Sequence, residues 1–227
     1  MNVTVDSPDV GRFRDRRDAG YQLAWALKDW KGRRPLVLGI PRGGMILADV
    51  VARELDGELD VVLVEKLRAA APSHLAIGSV AENGLVFRND GWEGRTTGAS
   101  LKAEIEAALA RLRQRRLLYE TEAGPVSPAG RAVIVVDDGV ATGASLLGAL
   151  QAMQLAGVRR LIAAVATAAR DSIEALRREA DEVVSIAATD SFYAVSPFFM
   201  DFAEVTDEEV VRLLRNAPRS SPRGQAV

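Results

Sequence analysis

Apolar positions along the chain follow two rhythms. Residues 36–40 (Leu-Val-Leu-Gly-Ile), 59–65, 132–136 (Ala-Val-Ile-Val-Val), 161–166 and 182–186 are short apolar runs with β-branched side chains. Each reads as a strand covered on both faces. Between them, apolar residues return every three or four positions, which predicts helices over 15–30 (Ala19, Leu23, Ala24, Leu27), 45–55, 100–122, from the small-residue loop at 141–145 to about 156, and 172–179. Thr206-Asp207-Glu208-Glu209 has capping-box form and predicts a last helix to about residue 215. Strand, turn, helix and strand in succession form βαβ units with right-handed crossovers. The expected architecture is α/β, a Rossmann-like, mostly parallel sheet of about five strands flanked by helices.

The rhythm fails in three places. From about 66 to 94 the pattern is irregular around His74, with short strands expected near Ile77–Ala81 and Leu85–Arg88, and a segment this long reads as a mobile loop. Residues 124–130 hold two prolines and two glycines and read as a connector. Residues 217–227, rich in Pro, Ser, Arg and Gly, are expected to form a disordered tail behind a single domain over 1–216. In the helix at 100–122, Arg111, Arg113, Arg115 and Arg116 are balanced by Glu104, Glu106, Glu120 and Glu122 and read as a solvated face rather than a nucleic-acid contact.

Composition narrows the chemistry. With 227 residues and 48% hydrophobic content the chain can bury a full core, and a formal charge of −2 supplies no footprint for nucleic acid or an anionic membrane. Cysteine is absent and His74 is the single histidine, so thiolate nucleophiles, disulfides and Cys- or multi-His metal sites are excluded. The N-terminus lacks the basic start and apolar run of a signal peptide and no segment has the length of a membrane span, so a cytoplasmic location is expected.

Candidate chemistry concentrates in Ala132–Ser145, AVIVVDDGVATGAS. A buried strand ends in adjacent carboxylates, Asp137 and Asp138, where open α/β sheets bind ligands. The loop Ala141-Thr142-Gly143-Ala144-Ser145 then opens a helix and offers backbone N–H groups and two hydroxyls, a combination suited to a phosphate. A lysine-dependent NTPase loop is excluded because no lysine occurs in 139–145. A magnesium site of the response-regulator kind would use the acids but leave the loop unexplained. A plain capped turn remains the structural alternative.

The same stretch resembles the phosphoribosyl diphosphate (PRPP) signature of type I phosphoribosyltransferases. The resemblance extends over about residues 12–215, carried by FRDRRDAG at 13–20, GIPRGG at 39–44 and DFAEVTDEE at 201–209, and is nearest to a bacterial subgroup whose acceptor it does not supply. It implies that fold, with a small hood at about 187–204. It further implies that Asp137 and Asp138 are the catalytic pair holding the ribose hydroxyls, directly or indirectly with Mg²⁺, and that Ala141, Thr142, Gly143, Ala144 and Ser145 wrap the 5′-phosphate. Arg42, Gly43 and Gly44, with Lys66, would meet pyrophosphate, although a tight turn and a solvated lysine are the alternatives; Arg68 is read in the same two ways. Phe192 or Tyr193 would stack on the acceptor, whereas Phe198, Phe199 and Phe202 read as apolar core beneath the hood. Arg14, Asp15, Arg16 and Arg17 read equally as a helix cap or part of the hood, and His74 as a loop residue with or without a pyrophosphate contact. Gly139 and Ser145 depart from residues frequent in the family, as does the missing Ser-Tyr pair of some catalytic loops. The implied reaction is transfer of the 5-phosphoribosyl group from PRPP to a nitrogenous acceptor, with a nucleobase as the expected class and pyrophosphate as product. The alternatives are a non-catalytic PRPP-binding regulatory module and nucleotide phosphorolysis or hydrolysis at the same site. A homodimer is the family's common arrangement.

Overall fold

The computed structural model describes residues 3–4, 12–68, 76–88, 97–121 and 124–217. Its elements are β1 (Val3–Thr4), α1 (Arg16–Ala26), β2 (Leu36–Gly39), α2 (Gly44–Glu54), β3 (Glu58–Val61), β4 (Val64–Arg68), β5 (Ala76–Ala81), β6 (Val86–Arg88), α3 (Gly98–Tyr119), β7 (Ala132–Val140), α4 (Ala144–Leu155), β8 (Arg160–Ala169), α5 (Arg170–Glu179), β9 (Glu182–Thr189) and α6 (Asp207–Arg215). The main sheet runs β1-β9-β8-β7-β2-β3, and every neighbouring pair is parallel. The five expected strands are its body, and β1 adds a two-residue edge.

Alternation along the strands sorts the core into two layers. In β7, Val133 and Val135 join Leu146 and Leu150 of α4 and Ile173 and Leu176 of α5 on one face. Ile134 and Val136 face the other way, toward Leu23 of α1, Met45 and Leu47 of α2, Leu112 of α3 and Leu214 of α6. Burial on both faces is what the unbroken apolar run requires. Three helix starts are closed by side chains. Asp15 accepts from the Asp18 N–H (2.8 Å), and Thr97 and Thr206 accept from the N–H groups of Ser100 and Glu209 (3.2 Å each).

The chain leaves β2 toward β3 on one side and returns as β7 on the other, then continues to β8 and β9. The gap between the carboxyl ends of β2 and β7 is therefore the topological switch point of the sheet, where ligands of such folds bind.

The apolar run at 59–65 does not form one strand. β3 ends at Val61; the Val62 N–H still reaches the Gly39 carbonyl (3.1 Å), and the Leu63 carbonyl accepts from the Glu82 N–H (3.1 Å). The chain thus changes partners between Val62 and Leu63 and continues as β4 in a separate antiparallel sheet, β4-β5-β6. The unbroken apolar stretch Val61–Val64 carries no mark of such a change, because it is buried on both sides of it. The strands expected near 77–81 and 85–88 are β5 and β6 of this sheet. His74 lies outside the described residues.

Arg111, Arg115 and Arg116 of α3 are tethers between elements, while Arg113 is exposed as a solvated face requires. Arg111 and Arg115 both donate to Glu65 of β4 (3.2 Å each), and Arg116 Nε donates to Glu82 of the β5–β6 turn (2.8 Å). Of the glutamates within the helix, Glu104 takes part through Arg111 (3.4 Å) and Glu106 through Lys102. Local charge balance within α3 is a smaller part of the arrangement than the helix-to-sheet contacts.

Candidate functional site

Two turns meet at the switch point. The turn after β2 brings Arg42, Gly43 and Gly44 alongside the end of β7, and the Ile40 N–H donates to the Val136 carbonyl (2.9 Å). The Pro41–Arg42 peptide is cis. Contact here leaves no room for side chains. A Cβ on Gly43 would lie 2.0 Å from Asp138 Oδ2, and one on Gly44 would lie 2.7 Å from the Val136 carbonyl oxygen and 3.0 Å from Asp137 Cα. The glycines are needed for close backbone approach; Gly43 itself has ordinary helical angles (φ −59°).

Asp137 and Asp138 are adjacent but have different surroundings. The Asp138 N–H donates to Asp137 Oδ1 (2.9 Å). Burial, and after it the charge of Asp138, push the Asp137 carboxyl well above the usual carboxylate range, against the pull of that hydrogen bond, Lys66 and Arg16. The charge of Lys66, an exposed residue of β4, is thus felt at Asp137. Asp138 Oδ2 accepts from Arg16 Nε at 2.8 Å, and the two side chains are only 14% and 10% exposed.

Arg16 was legible only as a helix-cap or hood residue. In the fold its guanidinium touches three groups on two segments: Asp138 of β7 through Nε, the Ala203 carbonyl through Nη1 (2.7 Å), and the neighbouring Phe202 ring with Cζ 3.7 Å from the centroid. A cavity of about 190 Å³ lies beside it, lined by Asp15, Arg16, Ile46, Asp201, Glu204 and Glu209. Arg42 points toward the same segment, donating to Glu204 Oε1 (2.8 Å).

Gly139 and Val140, the last residues of β7, separate the acids from the loop 141–145. Gly143 takes φ +78°, a left-handed conformation that glycine adopts without cost, and caps α4. The loop's carbonyls are tied back from two sides. Ser172 of α5 donates to the Ala141 carbonyl (2.7 Å), and the fully buried Ser79 of β5 donates to the Ala144 carbonyl (2.6 Å). Among the described residues, the N–H groups of Thr142 and Gly143 have no hydrogen-bond partner. With the free N–H groups of the first turn of α4, they form a set of donors at the positive end of a helix. Thr142 is exposed and opens on a cavity of about 420 Å³ bordered by Phe87, Leu147 and Arg178.

The segment that follows β9 crosses the same end of the sheet. A Cβ on Gly139 would lie 2.6 Å from Val195, so the glycine at that position lets the segment close down. Phe13, Phe199 and Phe202 form a chain of ring contacts at 5.2 and 5.1 Å, with Phe199 buried. Phe192 is half-buried and stacks on Phe198 (5.5 Å), while Tyr193 is 93% exposed.

Two carboxylates with substrate oxygens would suit magnesium, which binds through one or two carboxylates and keeps much of its remaining shell for phosphates and water. No group of three or more acidic or histidine residues that could hold a metal unaided occurs among the described residues. No helix among them is long and apolar enough to cross a membrane.

Residues 17–203 match the family described as the phosphoribosyl transferase domain. A Mycobacterium tuberculosis H37Rv protein named "Putative phosphoribosyl transferase Rv0571c" is 35% identical over 217 residues, covering 95% of this chain and 49% of that protein. The chain therefore spans about half the length of the curated relatives it matches. The crystal structure of TT1426 from Thermus thermophilus is 42% identical with a TM-score of 0.78, covering 90% of this chain and 98% of that one. AQ2163 from Aquifex aeolicus, 14% identical with a TM-score of 0.50 over 83% of this chain and 87% of its own, shares the fold alone.

Proposed function

The chain belongs to the phosphoribosyl transferase family, and from that premise we propose that it transfers the 5-phosphoribosyl group of PRPP to a nitrogenous acceptor, releasing pyrophosphate. The observation that carries this reading is the convergence, at one switch point, of the Asp137–Asp138 pair, the donor loop at 141–145 and the backbone of Gly43–Gly44 packed against both acids. A donor with a ribose between two phosphate-bearing ends needs these three kinds of group in that arrangement.

In this reading the N–H groups of 142–145 and the hydroxyls of Thr142 and Ser145 hold the 5′-phosphate, anchoring one end of the donor. Asp137 and Asp138 accept hydrogen bonds from the vicinal ribose hydroxyls, a charge-assisted contact. The Gly43–Gly44 backbone and Lys66 face the pyrophosphate, with Arg42 able to join them on leaving Glu204. Mg²⁺, held by Asp137 and Asp138 directly or through water, would neutralise charge on the departing pyrophosphate. The bond from C1 of the ribose to the pyrophosphate oxygen breaks with its electron pair on oxygen. A lone pair of the acceptor nitrogen forms the new bond to C1, and the nitrogen then loses its proton. Such a reaction is accelerated mainly by positioning and by stabilising charge, which suits a site with no cysteine. The acceptor would lie under the 190–203 segment, where Phe192 and Tyr193 offer ring faces.

The test is pyrophosphate release from PRPP and Mg²⁺ across a panel of purines, pyrimidines and other nitrogen nucleophiles. Turnover with at least one acceptor is expected. PRPP binding without release for any acceptor would make the chain a PRPP-sensing module instead.

A further inference from the structure

The ion pair between Arg16 and Asp138 joins residues 122 positions apart, and neither partner has solvent to spare. Such a pair is stabilising only when its geometry is held and its remaining hydrogen-bond capacity is used. The Arg16 guanidinium is held in place by the Ala203 carbonyl, which takes one of its remaining N–H groups, and by the Phe202 ring. Asp138 Oδ2 is boxed in further by Gly43, at which even a methyl group would collide.

We propose that Arg16 is a positioning residue for donor binding. It pins Asp138 through Oδ2, so that the other carboxylate oxygen is presented in one orientation to the ribose hydroxyls, and it makes that orientation depend on the 202–203 segment of the hood. This inference rests on the reading of Asp138 as a ribose contact. The neighbouring arginines are built differently. Arg14 pairs with Asp18 on the exposed surface, and Arg17 approaches Asp49 of α2 only at 3.8 Å. A lysine at position 16 would keep the charge but lose the planar fork that serves Asp138 and Ala203 together and the face that lies on Phe202.

Calorimetric titration with PRPP and Mg²⁺ of the full chain and its Arg16→Ala, Arg16→Lys and Arg14→Ala variants tests this. Affinity is expected to fall about 10- to 100-fold in Arg16→Ala, the size seen when a residue orienting a ligand group is lost. The lysine variant is expected to fall between, and Arg14→Ala to match the parent. Guanidinium ion at a non-denaturing concentration is expected to restore part of the affinity of Arg16→Ala and to leave the parent unchanged, a response that a general loss of folding would not give. Unchanged affinity in a folded Arg16→Ala variant overturns the proposal. Tighter binding also overturns it, by making Arg16 an obstruction on Asp138. If Arg16→Ala fails to fold, Arg16→Lys and Arg16→Gln decide by the same criterion. If the parent itself does not bind PRPP, the reading beneath the inference fails, an outcome distinct from parent binding that ignores Arg16.

Discussion

Asp137 and Asp138 are consecutive carboxylates given opposite treatment. One has a guanidinium in contact; the other has burial and its neighbour's charge to contend with. Because the Asp137 carboxyl titrates above its unfolded value, its contribution to stability is fully present below the unfolded carboxylate pKa of about 4 and is lost as pH rises through the folded value. At neutral pH an ionised Asp137 therefore destabilises the free protein. Replacing it with asparagine keeps an oxygen for the Asp138 N–H and removes the charge. In metal-free buffer, Asp137→Asn is expected to melt at a higher temperature than the parent near pH 7, with the difference closing near pH 4. A variant that melts lower at neutral pH would contradict this assignment. The acids themselves were legible because they follow the buried run Ala132–Val136 without interruption, although β7 continues past them to Val140. The Arg16 contact was not, since nothing local links residue 16 to residue 138. FRDRRDAG offers three arginines at positions 14, 16 and 17, and only the fold distinguishes them.

The phosphate-shaped loop belongs to several elements at once. β7 delivers it, α4 receives it, and α5 and β5 hold its carbonyls through Ser172 and Ser79. Ser79 brings the small antiparallel sheet into the site, and its hydroxyl lies where a side chain on Gly148 would have to go, 2.2 Å from a Cβ there. Ser79→Ala removes one buried hydrogen bond, at a cost of about 1 kcal/mol, which for a domain of this size lowers the melting temperature by about 2–4 °C. It is also expected to weaken PRPP binding, because the Ala144 carbonyl is released at the first turn of α4. Thermal melting and titration together check this; loss of stability with unaltered affinity would confine Ser79 to a packing role. The helices and the body of the main sheet were legible from periodicity, as was the cap at Thr206. The separation of β3 from β4 was not, because it falls inside the unbroken apolar stretch Val61–Val64. The α3 arginines show the same limit. Their carboxylates, Glu65 and Glu82, lie 46 and 34 residues away rather than one helical turn.

For the molecule as a whole, topology does what no segment does alone. Parallel pairing of β2 with β7 and departure of the chain to opposite sides create one crevice, into which GIPRGG and DDGVATGAS are brought from about 95 residues apart in sequence. Each motif could be read separately, but their contact through Gly43, Gly44 and the acidic pair is a property of the fold. Phe192 and Tyr193 lie in the least patterned part of the chain, where side-chain type is visible and direction is not. If Asp137 and Asp138 hold the ribose of PRPP, calorimetric titration with PRPP will show it. Mg²⁺-dependent binding is expected for the parent chain, with loss of that binding in the Asp137→Asn, Asp138→Asn double variant while the fold is retained. Unchanged affinity in the double variant would contradict it.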